Sequence, residues 1–249
     1  MKKKFEYTQF HKKKNLGFEY DEGLYTQDTW SNRIWQIEKE IIKKIFRGEE
    51  KMKILDFATG TGRVLKFLEK NKFKDLTGID SSKEMLKQAK KKLKKQIKVF
   101  CLDISQKEDF DQIKKERFDI ITSFRFFLNA NNELKDNILK KFKILLKDDG
   151  KLIFNIHKNK ESFIFFIRNL LNKFIKKNIK VASFKEVKDW LSKNNFKIEK
   201  CYSYGFIPHK KNISLLPYKI WYNLEKNLIS EKSTKGSHFI IICKKMNKK

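Results

Sequence analysis

The sequence predicts an α/β fold: seven strands in a mostly parallel sheet, helices on both faces, and an antiparallel strand pair at one edge. Three observations lead there. Short apolar runs alternate with helically periodic segments from about residue 33 to residue 157. A glycine turn, Ala58 to Gly62, follows the first apolar run directly, although the chain has only 9 glycines. Three successive apolar runs close on a carboxylate, at Asp56, Asp80 and Asp103.

The elements read in order as follows. Ile34, Ile37, Ile41, Ile42 and Ile45 recur at helical spacing and predict a helix over 33–46. KILDF (53–57) is the first strand, and the helix after the turn spans 63–70. DLTGI (75–79) precedes a lysine-rich helix opened by Ser81 and Ser82, two good helix caps. IKVFCL (97–102) and FDIITSF (118–124) are strands, and Leu134, Ile138, Phe142 and Leu145 share one face of a helix over 132–146. Asp148-Asp149-Gly150 reads as a turn before a fifth strand, 151–157. Beyond it the pattern predicts helices over 160–177, 184–194 and 218–229, and strands over 196–206 and 237–245. The last two strands are expected to pair antiparallel. Residues 1–32 are assigned as a charged leader and candidate lid carrying Tyr20 and Tyr25. Residues 33–249 form one domain, with acceptor-covering helices inserted in 158–235.

Composition narrows the function less than the motifs do. Lys and Arg number 59 and Asp and Glu 30, a net charge of +29. That charge suits nucleic acid or an anionic surface. However, Arg occurs only at 33, 47, 63, 117, 125 and 168, and Lys, Asn, Ile and Phe are all abundant, as A/T-rich codons would produce. Readers of base sequence favour Arg for its planar fork. Cys101, Cys201 and Cys243 lie far apart with no metal-ligand spacing and read as free, buried thiols. No run of eighteen uncharged apolar residues is present, so a cytoplasmic protein without a transmembrane segment is expected. FIFFIRNLLNKFIKK (163–177) mixes apolar and basic residues, as a helix on a membrane surface or one packed on the sheet would.

Gly60 and Gly62 mark a close approach of backbone to a ligand, at a helix N-terminus whose amides face any bound group. Asp80, eighteen residues after Gly62, is placed for ribose hydroxyls. Together the three carboxylates converge on one crevice at the strand ends.

These residues resemble the class I S-adenosylmethionine-dependent methyltransferases. DFATGTG resembles the family's first motif with Ala58 in place of its first glycine, GIDSSKEML its acidic second motif, and CLDI its third. FDIITSF and LLKDDGKLIFNIH resemble the fourth and fifth strands, so the likeness spans about residues 33–157. It implies a Rossmann-like seven-stranded sheet and S-adenosylmethionine as cofactor. By the same likeness Gly60 and Gly62 would flank the methionine part, and Asp56 would hold the turn or the amino group. Asp80 would bind the ribose, Met85 would pack near the adenine, and Asp103 with the Ile104 amide would meet the adenine edge. Ala58, Ser81 and Ser123 complete the implied cofactor set. A nicotinamide-binding protein would want a third glycine at 65, where Leu65 stands.

Methyl transfer needs alignment and exclusion of water, and a base only where the nucleophile must lose a proton. Ser123, Arg125 and Asn129 after the fourth strand, and Asn155 and His157 on the fifth, are placed for this; His157, Arg125 and Asn129 are the catalytic candidates. His209 is a further candidate for the acceptor pocket or a plain loop residue. The fourth strand does not end in the N/D-P-P-Y/F of enzymes that methylate DNA amines. The tail over 200–245 resembles methyltransferases of sugar and cell-surface glycan pathways. The expected acceptor is therefore a small molecule methylated on O or N, a sugar or glycan precursor among the options. The alternatives are a tRNA or rRNA methyltransferase and a non-catalytic cofactor-binding protein of the same fold. The sequence leaves the oligomeric state open.

Overall fold

The computed structural model describes residues 29–171, 180–210, 213–214 and 216–246. Tyr20, Tyr25 and the rest of the leader to residue 28 lie outside the described residues, as does 172–179 of the expected 160–177 helix. The first helix, α1 (Trp30–Ile45), starts three residues before the expected boundary, because Thr29 accepts the Asn32 amide and caps it. There follow β1 (Ile54–Phe57), α2 (Arg63–Lys70), β2 (Leu76–Asp80), α3 (Lys83–Lys92), β3 (Lys98–Cys101), the short α4 (Lys107–Asp111) and β4 (Phe118–Ser123). Next come α5 (Asn132–Leu145), β5 (Leu146–Ile156), α6 (Phe163–Leu171), α7 (Phe184–Lys193) and β6 (Phe196–Tyr204). A two-residue hairpin, β7 (His209–Lys210) and β8 (Ile213–Ser214), precedes α8 (Tyr218–Leu228) and β9 (His238–Lys245).

Seven strands form one sheet in the order β3-β2-β1-β4-β5-β9-β6, parallel through β5. β9 enters antiparallel between β5 and β6, so the expected antiparallel pair is present with β9 inside and β6 at the edge. Neighbouring residues in the central strands face opposite sides, as strand geometry requires. Ile54, Ile120, Ile153 and Ile240 pack with α1, α2 and Trp221 of α8. Leu55, Ile121, Phe154 and Ile241 pack with α5 and α7 on the other face. Both faces being covered explains the nearly unbroken apolar runs of β1 and β4.

Three expectations change. The Asp148-Asp149-Gly150 turn is an irregularity inside β5: Leu146 pairs with Phe118, and regular pairing resumes only at Ile120 with Lys151. Cys101 is exposed rather than buried, because β3 is the sheet's outer strand; Cys201 is half-buried and Cys243 buried. Of the helices expected to cover an acceptor, α7 instead packs on the sheet beside α5, where Trp190 Nε1 donates to Asp136 at 3.0 Å. α8 packs on α1 through Trp30 and Trp221. α6 turns Phe163 and Phe166 outward. Among the described residues no helix is long and apolar enough to cross a membrane.

α8 is tied to the sheet by Glu225, whose fully buried carboxylate accepts the amides of Gly205 (2.5 Å), Phe206 (2.9 Å) and Ile207 (3.0 Å) where the chain leaves β6. Removing it strands three amides with no room for water. Glu225→Ala should therefore lower the unfolding free energy by about 3 kcal/mol in urea, and Glu225→Gln by less, since an amide oxygen still accepts. Equal stability of Glu225→Ala and the parent would contradict this account.

Candidate active site

The carboxyl ends of β1, β2, β3 and β4 open into one crevice of about 970 Å³, part of it continuous with solvent. Its floor is the turn from Ala58 to Thr61. Ala58 and Gly60 both lie in the left-handed region, at φ 55 and φ 57. For Ala58 that is a strained conformation, retained although a methyl replaces hydrogen. A Cβ at Gly60 would meet nothing within 4 Å, so its open side is crevice.

Gly62 has a different task. It caps α2 at φ 77, and a Cβ there would press on Ala89 Cβ and Leu93 Cδ1 of α3 at 3.1 Å each. It lets two helices close up, and it is absent from the crevice lining. Leu65, where a third glycine might have stood, packs instead over Gly78 of β2, where a Cβ would come within 2.6 Å of Leu65 Cδ1. The room for close helix–strand packing is supplied from the strand side.

The carboxylates divide their work. Asp80 Oδ2 accepts the Gly60 amide at 2.8 Å and Oδ1 accepts the Ser82 amide at 2.9 Å, which binds the turn to the end of β2. Burial outweighs these bonds and raises the Asp80 pKa, with nearby Asp103 adding to the rise. Asp56 lies deeper, accepting from Thr122 and Thr59 hydroxyls at 2.6 Å each. Burial pushes its carboxyl up to about 6, against those bonds and the Arg63 charge. Asp103 Oδ1 accepts the Ser105 amide at 3.1 Å and its hydroxyl at 2.6 Å.

Ser81, Met85, Leu102, Leu134 and Ile138 line the side toward β3, and Phe124, Arg125 and Phe126 the side toward β5. Of the residues expected at the cofactor, Asp56, Ala58, Gly60, Asp80, Ser81, Met85 and Asp103 share this lining, while Gly62, Ile104 and Ser123 do not. Ile104 is buried, its carbonyl accepting from Lys141 Nζ. Ser123 Oγ is buried with no partner among the described residues. Sequence reasoning missed Thr59, Thr122, Arg63, Phe124 and Phe126. An Arg directly after the glycine turn was a signal for one of them.

Arg125 is the second strained residue of the crevice, at φ 67. Two side-chain amides hold its backbone: its N–H donates to Asn155 Oδ1 at 2.7 Å, and its carbonyl accepts from Asn129 Nδ2 at 2.6 Å. Asn155 in turn donates to Glu38 Oε1 at 2.8 Å, which also accepts the Tyr204 hydroxyl at 2.8 Å. Glu38, Asn155 and Tyr204 are all fully buried. His157 sits beside Arg125, outside the crevice lining, with Nδ1 unpartnered among the described residues. Burial first, then the charges of Arg125, His238 and Lys158, hold its pKa well below 6.5. Its imidazole is neutral at physiological pH. The side chain of His209 lies outside the described residues.

Comparison with known proteins adds a family to this geometry. Residues 55–152 match the model of a methyltransferase domain family. No curated protein matches the chain. Several solved structures share the fold. One is a methyltransferase of Thermotoga maritima described as a possible histamine N-methyltransferase, 20% identical, TM-score 0.54, covering 84% of this chain and 98% of that one. Another is magnesium protoporphyrin IX methyltransferase of Synechocystis with bound S-adenosylhomocysteine, 12% identical, TM-score 0.60, covering 96% and 97%. A third is DhpI with S-adenosylhomocysteine, 12% identical, TM-score 0.61, covering 97% and 96%. At these identities the likeness is one of fold. The sheet order and the crevice define an α/β protein that binds its ligand at the strand ends. With the matched domain, they identify a class I S-adenosylmethionine-dependent methyltransferase.

The buried Asp56 gives the site a pH signature. Its folded pKa of about 6 lies above the unfolded 3.8, so protonation favours the fold. The group's contribution is full below about pH 4 and is lost as pH rises through 6, a change of about 3 kcal/mol. Between pH 4 and 7.5, unfolding in urea should shift in favour of Asp56→Asn relative to the parent by about that amount. A difference constant across this range would contradict the assignment.

Proposed function

We propose that the protein transfers a methyl group from S-adenosylmethionine to an oxygen or nitrogen of a small-molecule acceptor, bound at the Arg125 end of the crevice. The observation that carries this reading is the composition of the lining: three carboxylates, two arginines and no lysine. Exposed lysines occur on many other surfaces, including Lys43 and Lys44 on α1, Lys87 and Lys90 on α3, Lys140 on α5, Lys197 and Lys200 on β6, and Lys226 on α8. A polyanionic acceptor would favour lysines gathered at the mouth of the site. Sugars and glycan precursors belong to the acceptor class to be tried first.

The donor set fits the cofactor. S-Adenosylmethionine presents ribose hydroxyls, an adenine amine and an ammonium, all of which donate to carboxylates. The pyrophosphate of a dinucleotide would instead face Asp56, Asp80 and Asp103, and like charges repel. Asp80 keeps a free lone pair on each oxygen for the ribose, and Met85, Leu102, Leu134 and Ile138 offer an apolar slot for the adenine. Asp103 stands for its amine edge, and Ala58, Gly60 and Ser81 supply close backbone. The cofactor contributes an electrophilic methyl on a sulfonium. The chain's part is to align the acceptor and exclude water, for which Phe124 and Phe126 wall the crevice on the acceptor side. Arg125 steers the acceptor, Asn129 and Asn155 hold Arg125, and neutral His157 is the base for an acceptor that must lose a proton.

Calorimetric titration with S-adenosylmethionine, with NAD as control, tests the cofactor. Micromolar binding is expected, weakened tenfold or more in Asp80→Ala; absence of binding, or tight NAD binding, would overturn the reading. Acceptor screening with methyl-labelled cofactor should then find nucleotide sugars or other small molecules before RNA. Because His157 stays neutral into the acid range, the turnover rate should hold level from pH 8 to pH 6. A loss of rate centred near pH 6.5 would exclude His157 in this environment.

A further inference from the structure

Resting on that cofactor reading, we infer that Arg63, held by Trp35, is the seat of the cofactor's methionine carboxylate. S-Adenosylmethionine carries a single anionic group, and the crevice around it is acidic. That carboxylate must find a cation, and the described lining offers two, Arg63 and Arg125.

The two are separated by their surroundings. Arg125 belongs to the far wall: its backbone is fixed by Asn155 of β5, and its charge acts on His157 and Tyr204. Arg63 belongs to the glycine turn. It is the first residue of α2, directly after Gly62, and its charge acts on Asp56 beneath the turn. With the adenosine end directed at Asp80, Met85 and Asp103, the methionine end runs along the turn toward Asp56 and Arg63.

Arg63 is also oriented in advance. Its guanidinium carbon lies 4.3 Å from the centre of the Trp35 ring on α1, a face-on cation–π contact. Trp35 is itself buried and meets Phe67 of α2 edge-to-face at 5.9 Å, so the stack cannot swing freely. A planar guanidinium fixed on one face keeps its donor edge for a carboxylate, a pairing that Arg makes through two parallel hydrogen bonds. The backbone amides at the start of α2 add a favourable field for an anion. Trp35 is a positioning residue here; Arg63 touches the ligand.

The test compares S-adenosylmethionine with its decarboxylated form, which differs only in lacking the carboxylate, by calorimetry on the full chain. The parent should bind S-adenosylmethionine tighter by tenfold or more. Arg63→Met should abolish that preference while leaving affinity for the decarboxylated form unchanged, which also reports that the variant is folded. Trp35→Leu should lessen the preference in part, and Arg125→Met should keep it. Should Arg63→Met prove unfolded, Arg63→Gln decides by the same ratio. A preference that survives loss of Arg63, or disappears in Arg125→Met instead, overturns the assignment. A parent that binds neither compound removes the cofactor reading itself, a different result from binding that is indifferent to Arg63.

Discussion

The hydrogen bond from the Gly60 amide to Asp80 is the constraint on which the crevice depends. It spans the gap between the glycine turn after β1 and the end of β2, at 2.8 Å. A second backbone bond, Thr59 N–H to the Ile79 carbonyl at 3.0 Å, runs beside it. These two bonds fix the turn in its left-handed course and leave the open side of Gly60 facing the ligand. Asp80 therefore shapes the site as well as offering itself to it. The cost is a carboxylate held in a partly buried place with a raised pKa, tolerated because backbone amides meet both of its oxygens.

The first helix organises both cations of the site. From one position on α1, Trp35 stacks on Arg63; from another, Glu38 anchors Asn155, which fixes the backbone of Arg125. A buried carboxylate such as Glu38 is expensive unless satisfied, and here an amide and a phenol both donate to one of its oxygens. Burial and Glu38 together push the Tyr204 phenol far above 10, so it stays a donor at any working pH. The two crevice walls are thus referred to one rigid element outside the sheet. An N-terminal helix that might pass for packing is part of the site's framework.

Local features were legible in the sequence, and relations between distant residues were not. The alternation of apolar runs and helical stripes located the main strands and helices, because both faces of the sheet are covered and periodicity follows burial. Boundaries moved where a cap or an irregularity decided them, as at Thr29 and Leu146. The five-residue α4 and the β7–β8 hairpin are too short to show a period. Asp56, Asp80, Asp103, Gly60 and Met85 could be placed in one crevice because parallel strands end side by side. Gly62 and Leu65 could not be understood locally, since their roles depend on Ala89, Leu93 and Gly78. Nor could the Glu38–Asn155–Tyr204 network, whose members are 117 and 166 residues apart from Glu38. The exposure of Cys101 likewise follows from strand order, which no local pattern encodes.

The most direct test of the account is the affinity of Gly60→Ala for S-adenosylmethionine, read beside its stability. The methyl group would enter open crevice without touching protein, so the fold should lose only about 1 kcal/mol from left-handed strain. Affinity should nonetheless fall tenfold or more, because that space is where the cofactor passes the backbone. Unchanged affinity in a folded Gly60→Ala protein would contradict the claim that this turn carries the cofactor.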